Sequence, residues 1–126
     1  MRRLPLTLVC AALLVGIMAS SIAAAPTRLT VWAMGAEAQK IGEMTARFEK
    51  ANPGIRVTVQ AIPWGAAHDK IITAVAGGTG PDVAQMGTTW MAEFGSIGVF
   101  EELSRYISKS KSVEKGQFFP GSWGTC

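Results

Sequence analysis

The chain has 126 residues, of which 48% are hydrophobic, and its formal net charge is +3. This length fits one domain and argues against two, because compact domains usually contain about 100–150 residues. Arg2 and Arg3 lie in the first 25 residues, which contain no acidic side chain, so the rest of the chain is nearly neutral. A nucleic-acid partner, which needs a clustered basic face, is therefore not expected.

The N-terminal segment has the pattern of a secretory signal peptide. Two arginines precede an apolar run from Leu4 to Ile17, and small residues follow from Ala19 to Ala25. This order predicts a cleaved leader over residues 1–25 and an exported protein, located in the periplasm or outside the cell. The alternative is an uncleaved membrane anchor, which needs about 20 apolar residues, a length that the segment reaches only through its alanines.

Three segments after the leader have strand patterns, and helical patterns lie between them. The predicted strands are 28–33, 55–62 and a short one at 82–86. Alternation of strands and helices predicts an α/β fold, in which a parallel sheet is flanked by helices and its strands are joined by right-handed crossovers.

The first helix is predicted over residues 36–51. Ile41, Met44 and Phe48 fall on one side of such a helix and form an apolar stripe. Asn52-Pro53-Gly54 is expected to end it, because a proline disfavours helical geometry in the residue before it and a glycine allows the turn.

Two further helices are predicted after the second strand. Pro63-Trp64-Gly65 is interpreted as a loop, followed by a helix that ends at Gly77-Gly78. Thr88 or Thr89 is expected to cap the next helix, because a hydroxyl oxygen can accept a hydrogen bond from a free amide of the first turn.

Residues for catalysis or for metal binding are scarce. The one histidine, His68, is predicted to be a solvated surface side chain without a role in binding. With only Cys126 left after the leader, a nitrogen and sulfur metal site is not expected. Gly77-Gly-Thr-Gly80 ends a helix rather than opening one, so it lacks the free amides that bind phosphate. Neither an enzyme nor a cofactor nor a metal is predicted.

The segments that follow the three strands offer a better candidate site. Ligands of open parallel sheets bind beside the carboxyl ends of the strands. There the chain has Glu37, Trp64, two threonines and Trp90. Indole rings pack on the C–H faces of sugars, and carboxylates and hydroxyls bind sugar hydroxyls, so a carbohydrate is the expected ligand. For Trp90, packing in the core beneath the third helix is as well supported by the sequence as contact with a ligand.

Several motifs together resemble the start of the extracellular solute-binding proteins of the maltose-binding type, and the resemblance covers the whole chain after the leader. The motifs are Leu29-Thr-Val-Trp32 with Gly35, the segment 46–57 (Ala-Arg-Phe-Glu-Lys-Ala-Asn-Pro-Gly-Ile-Arg-Val), Gly80-Pro-Asp-Val83, the pattern of Trp90, Phe94, Gly98-Val-Phe and Leu103, and Phe118-Phe-Pro-Gly-Ser-Trp123.

The resemblance implies a function and a fold. Proteins of this type bind sugars in a cleft between two lobes, deliver them to the permease of an ABC importer and are not enzymes. Residues 26–126 would form an incomplete N-terminal lobe of a periplasmic-binding-protein fold, with a three-stranded parallel sheet of order 2-1-3. The partners implied are a sugar or oligosaccharide and the membrane permease, and the full-length form is expected to be a monomer.

The resemblance also indicates site residues, in the loops after the first and third strands. With Trp64 from the loop after the second strand, the predicted ligand-binding residues are Ala36, Glu37, Trp64, Met86, Gly87, Thr88, Thr89 and Trp90. The maltose-binding type carries acidic residues at the positions of Ala36 and Thr89, so maltose itself is a less certain ligand for this chain.

Two interpretations remain open from the sequence. The first is a sugar receptor of which this chain holds only the beginning, because it ends before any crossover to a second lobe. The second is a small secreted α/β interaction or structural module that binds no sugar.

Overall fold

The computed structural model describes residues 25–126. The predicted leader and its cleavage site lie outside the described residues, apart from Ala25. Within the described part of the chain, no helix is both long enough and apolar enough to cross a membrane.

Three parallel strands form the sheet. They are β1 (Thr27–Met34), β2 (Ile55–Ile62) and β3 (Val83–Ala84). The order is β2-β1-β3, which confirms the predicted arrangement with the first strand in the centre. The long pair is in register from Thr27 opposite Ile55 to Met34 opposite Ile62, so both strands end at the same edge.

The third strand is shorter than predicted. At its two ends the backbone amides of Asp82 and Gln85 still bond to carbonyls of β1, but side-chain oxygens take the place of backbone carbonyls as acceptors. Asp82 Oδ2 accepts hydrogen bonds from the Thr30 amide at 2.7 Å and the Thr30 hydroxyl at 2.9 Å. At the other end, Gln85 Oε1 accepts a hydrogen bond from the Met34 amide at 2.8 Å. The bonds from Thr30 also hold the pKa of Asp82 below its usual range.

Helix α1 (Glu37–Ala51) follows β1 and ends as predicted at Asn52. The Asn52 side chain and backbone amide both donate to the Phe48 carbonyl, which closes the last turn. Its predicted apolar stripe is only partly covered, because Met44 is 59% exposed and Phe48 is 44% exposed. The helix contacts both β1 and β2, and Ala38 is its one buried residue.

Helix α2 (Trp64–Ala76) corrects the prediction of a loop at 63–65. Pro63 precedes the helix in an extended conformation, and its carbonyl accepts a hydrogen bond from the Ala66 amide at 3.0 Å. Trp64 therefore lies in the first helical turn. The predicted end is confirmed: the helix stops before Gly77, and Gly78 adopts a positive φ of 65° that favours glycine.

The chain continues through short helical segments. A 3₁₀ turn at Thr88–Trp90 leads into α3 (Met91–Ser96), followed by α4 (Ser104–Ile107) and α5 (Pro120–Trp123). The prediction of a threonine cap is wrong, because no side chain caps either the turn or α3. The Trp90 amide bonds to the Gly87 carbonyl at 2.9 Å and closes the turn instead.

The core lies between one face of the sheet, α2 and α3. Trp32 and Met34 alternate with Ala33 along β1, so their side chains point to the opposite face from Ala33. They pack with residues of β2, α2 and α3 in one cluster of buried side chains: Trp32, Met34, Ile62, Ala67, Ile71, Ala74 and Phe94. The cluster fixes the two helices beside the edge where the strands end.

Candidate ligand-binding site

Gly35 lies at the carboxyl end of β1 and has a φ of +54°, a conformation that glycine adopts readily and other residues rarely do. A β-carbon at this position would lie 3.2 Å from Glu37 Oε2, 3.2 Å from Trp64 Cδ1 and 3.3 Å from Trp64 Nε1. The carboxylate and the indole therefore lie side by side above the glycine. A side chain at position 35 would displace one or both of them.

The loop after β3 brings a second indole to the same place. The rings of Trp64 and Trp90 have centroids 5.9 Å apart and are tilted by 59°. The Trp90 ring packs on Gly87, where a β-carbon would lie 3.1 Å from Cδ2 of the indole. The two tryptophans and Glu37 thus form one surface, which we call the aromatic edge.

The other predicted site residues lie around this edge. Ala36, Thr88 and Thr89 are exposed. Met86 is half-buried and packs against the core cluster, as does Trp90. Trp90 therefore fits both roles that its sequence position left open, since it covers the core and also presents its ring beside Trp64.

The sequence analysis did not foresee the contacts of His68. Its side chain is 32% exposed, and its Nε2 lies 2.8 Å from Glu93 Oε2. Its ring makes edge contacts with the rings of Trp90 and Phe94, at centroid distances of 5.2 and 5.4 Å. The side chain therefore lies at the surface, as predicted, but it is also held by Glu93 and by two aromatic rings. The sequence spacing could have indicated that His68 lies near the site, because His68 follows Trp64 by four residues and so lies on the same face of the helix.

Two carboxylates, those of Asp69 and Glu93, contact His68 near the aromatic edge. The hydrogen bond to Glu93, and then the one to Asp69, raise the pKa of His68 above its ordinary value of about 6.5. Among residues 25–126, no group of three or more His, Cys, Asp or Glu side chains could hold a metal ion.

A separate hollow of about 530 Å³ lies over the ring of Trp32. Lys70 Nζ lies 4.7 Å from the centre of that ring. None of the eight predicted site residues lines the hollow; its lining residues are Trp32, Gln60, Asp69, Lys70, Thr73, Ala74 and Thr79.

Comparison with known proteins identifies the family. The family model described as bacterial extracellular solute-binding protein matches residues 33–125. The chain belongs to this family.

Solved structures of this solute-binding family match the fold closely. The sugar-binding protein MalE of Xanthomonas citri is 46% identical, with a TM-score of 0.74 over 79% of this chain. An ABC substrate-binding protein of Listeria monocytogenes, solved with cycloalternan, is 29% identical, with a TM-score of 0.72 over 79% of the chain. The fold is thus the start of a periplasmic-binding-protein fold, as the resemblance implied.

The match covers only part of each relative. A binding protein of Brucella abortus (strain 2308) is 33% identical over 92 residues, which are 72% of this chain and 22% of the relative. The chain likewise spans 25% of the Xanthomonas protein and 26% of the Listeria protein. It therefore corresponds to about a quarter of the length of these proteins.

Proposed function

We propose that this chain forms one side of the ligand cleft of an ABC importer's substrate-binding protein, and that the ligand is a carbohydrate. The observation that carries this proposal is the aromatic edge, where the carboxylate of Glu37 meets the indoles of Trp64 and Trp90. Indole faces pack on the C–H groups of a sugar ring, and a carboxylate accepts hydrogen bonds from its hydroxyls. The role is binding rather than catalysis.

The similar proteins support the choice of ligand class. One is a sugar-binding protein and another was solved with cycloalternan, a carbohydrate. Membership of an extracellular family supports a location in the periplasm or outside the cell, with delivery of the ligand to a membrane permease. A full-length protein of this kind would act as a monomer.

Each predicted residue has a separate part in the proposed site. Trp64 and Trp90 supply the apolar wall, and Glu37 supplies an acceptor beside it. Ala36, Thr88 and Thr89 are exposed around them, and the two threonines offer hydroxyls as donors and acceptors. Met86 and Gly87 bring the loop after β3 under the ring of Trp90.

A binding experiment on the chain itself tests the ligand class. We expect tryptophan fluorescence to change on addition of at least one of maltose, trehalose, glucose and xylose oligomers. Affinity should be about millimolar, or about −4 kcal/mol, because a site formed by this part alone leaves much of the ligand in water. No response to any sugar would favour the alternative of an interaction module.

Substitutions at the aromatic edge test the residues. In a chimera that joins residues 25–126 to the remaining three quarters of the Xanthomonas protein, Trp64→Ala or Glu37→Ala should weaken sugar binding by about 1–3 kcal/mol. Trp123→Ala and Glu101→Ala are matched controls, because they remove the same groups far from this edge in sequence and should leave affinity unchanged. Unaltered affinity in both edge variants would remove Trp64 and Glu37 from the site.

A further inference from the structure

Four aromatic side chains from two segments form one cluster, which includes both indoles of the aromatic edge. Trp64 and His68 are four residues apart on α2, and Trp90 and Phe94 are four apart on the segment that runs from the 3₁₀ turn into α3. Residues at this spacing lie on the same side of a helix. Trp64 contacts Trp90, while His68 contacts both Trp90 and Phe94. His68 is thus the side chain of α2 that joins the half-buried ring of Trp90 to the fully buried ring of Phe94.

The polar atoms of His68 are held from two directions. Nε2 faces Glu93 Oε2 of α3 at 2.8 Å, and Nδ1 faces Asp69 Oδ1 of its own helix at 3.4 Å. These two carboxylates are the charged groups that contact the ring from the helices packed around it. Both are acceptors, so the doubly protonated imidazolium satisfies both contacts, whereas a neutral ring places a lone pair against one carboxylate.

We propose that His68 is a positioning residue that fixes the ring of Trp90 at the aromatic edge, and that it does so most firmly as the imidazolium. Its hydrogen bond to Glu93 ties α2 to α3, and its ring makes a T-shaped contact with the indole of Trp90. The inference rests on the proposed function, in which Trp64 and Trp90 form the apolar wall that binds the sugar. His68 would control the position of one of these two rings. The neutral ring can donate to only one of the two carboxylates, and a bond that it keeps to Glu93 is no longer formed by a charged donor, so the tie between α2 and α3 weakens.

The direction of the pH dependence follows from linkage. A histidine whose pKa is raised in the folded state contributes stability that is fully present below its unfolded pKa, about 6.5. This contribution is lost as the pH rises through the higher folded pKa. The ring of Trp90 is therefore held best at mildly acidic pH, and this hold weakens as the pH rises through the raised pKa of His68.

Proton NMR of the chain tests this inference without any sugar. Because the sequence has one histidine, its ring protons are assigned directly. The Trp90 indole proton is assigned by comparison with Trp90→Phe. We expect His68 to titrate with a midpoint above 6.5 and the Trp90 indole signal to shift with the same midpoint.

Variants separate positioning from general stability. Glu93→Gln should lower the midpoint of His68 toward its ordinary value, whereas Glu101→Gln, which removes an equal charge elsewhere, should leave it unchanged. His68→Gln keeps a hydrogen-bond donor for Glu93 but cannot titrate, so the Trp90 signal should lose its dependence on pH in this range. A Trp90 signal that ignores the titration of His68, or a midpoint at or below 6.5, would overturn the inference.

A binding experiment tests whether the titration of His68 changes the affinity for a sugar. The probe is the sugar that binds most tightly among maltose, trehalose, glucose and xylose oligomers. Its affinity at pH 6 should exceed that at pH 8 by about two- to tenfold, the effect of one aromatic contact, and His68→Gln should flatten the profile. Equal affinity at the two pH values would contradict control of the ligand wall. If no sugar binds, the proposed function fails while the NMR titration still decides the role of His68.

Discussion

The described chain divides into two regions that are held together differently. In residues 27–96, hydrogen bonds join Thr30 to Asp82 and Met34 to Gln85, which are 52 and 51 residues apart. In residues 97–126, the side-chain and turn hydrogen bonds join residues at most four apart, such as Glu101 and Arg105. The first region is built from long-range contacts and the second from local ones.

Burial follows the same division. All nine buried residues of the described chain lie between Trp32 and Phe94. The second region has none, although it is not polar: its exposed large apolar side chains are Ile97, Phe100, Leu103, Tyr106, Phe118 and Phe119. Apolar residues thus become a core only where long-range pairing brings a second surface to them. Local helical turns alone do not achieve this.

The largest difference in stability between the two regions is expected from phenylalanine substitutions. Phe94 is fully buried, whereas Phe119 is 84% exposed. Phe94→Ala should lower the free energy of unfolding by about 3–5 kcal/mol, because it leaves a cavity in the cluster. Phe119→Ala should change it by less than about 0.5 kcal/mol. Urea denaturation measures both, and similar losses would show that the second region has a core of its own.

A single long-range hydrogen bond gives an intermediate effect. Gln85→Leu removes the acceptor of the half-buried Met34 amide, which should cost about 1–3 kcal/mol of unfolding free energy. Gln85→Glu keeps an oxygen at the same place and should recover most of this loss. Faster hydrogen exchange at the Met34 amide in the leucine variant locates the effect. An unchanged exchange rate would mean that the bond does not hold β3 to β1.

The smallest effect is expected from a local ion pair of the second region. Glu101 and Arg105 lie one helical turn apart, with 2.6 Å between Oε1 and Nη2, and both are about two-thirds exposed. Glu101→Gln should cost only about 0.3–0.5 kcal/mol at low salt, because water screens such pairs. Thermal unfolding at low and high salt measures it. A loss as large as that of Gln85→Leu would contradict the weak, local character of this region.

Local patterns were sufficient to predict most of the fold. The strand at 55–62 and the ends of α1 and α2 follow from alternation and from glycine and proline positions. The order of the sheet was implied by the family resemblance together with crossover handedness. The errors fall where tertiary contacts decide. Trp64 was assigned to a loop because a proline and a glycine flank it, but a proline immediately before a helix costs no internal hydrogen bond. The length of β3 depended on two side chains that bind the backbone of β1.

The candidate site was predictable in part for a physical reason. Parallel strands end at one edge, so Glu37, Trp64 and Trp90 had to approach one another whatever their side-chain geometry. His68 was missed because its partners, Glu93 and Phe94, lie 25 and 26 residues farther along the chain and carry no local signal. Only the packing of α2 against α3 brings them together.

The outer edge of β2 has a feature that bears on self-association. The carboxylate of Glu49, on α1, accepts a hydrogen bond from the Val57 amide at 2.6 Å. An added strand from another molecule needs that amide free, and unpaired edge amides are the usual starting points for such additions. The contact between Glu49 of α1 and Val57 of β2 therefore also hinders the addition of a strand from another molecule at this side of the sheet.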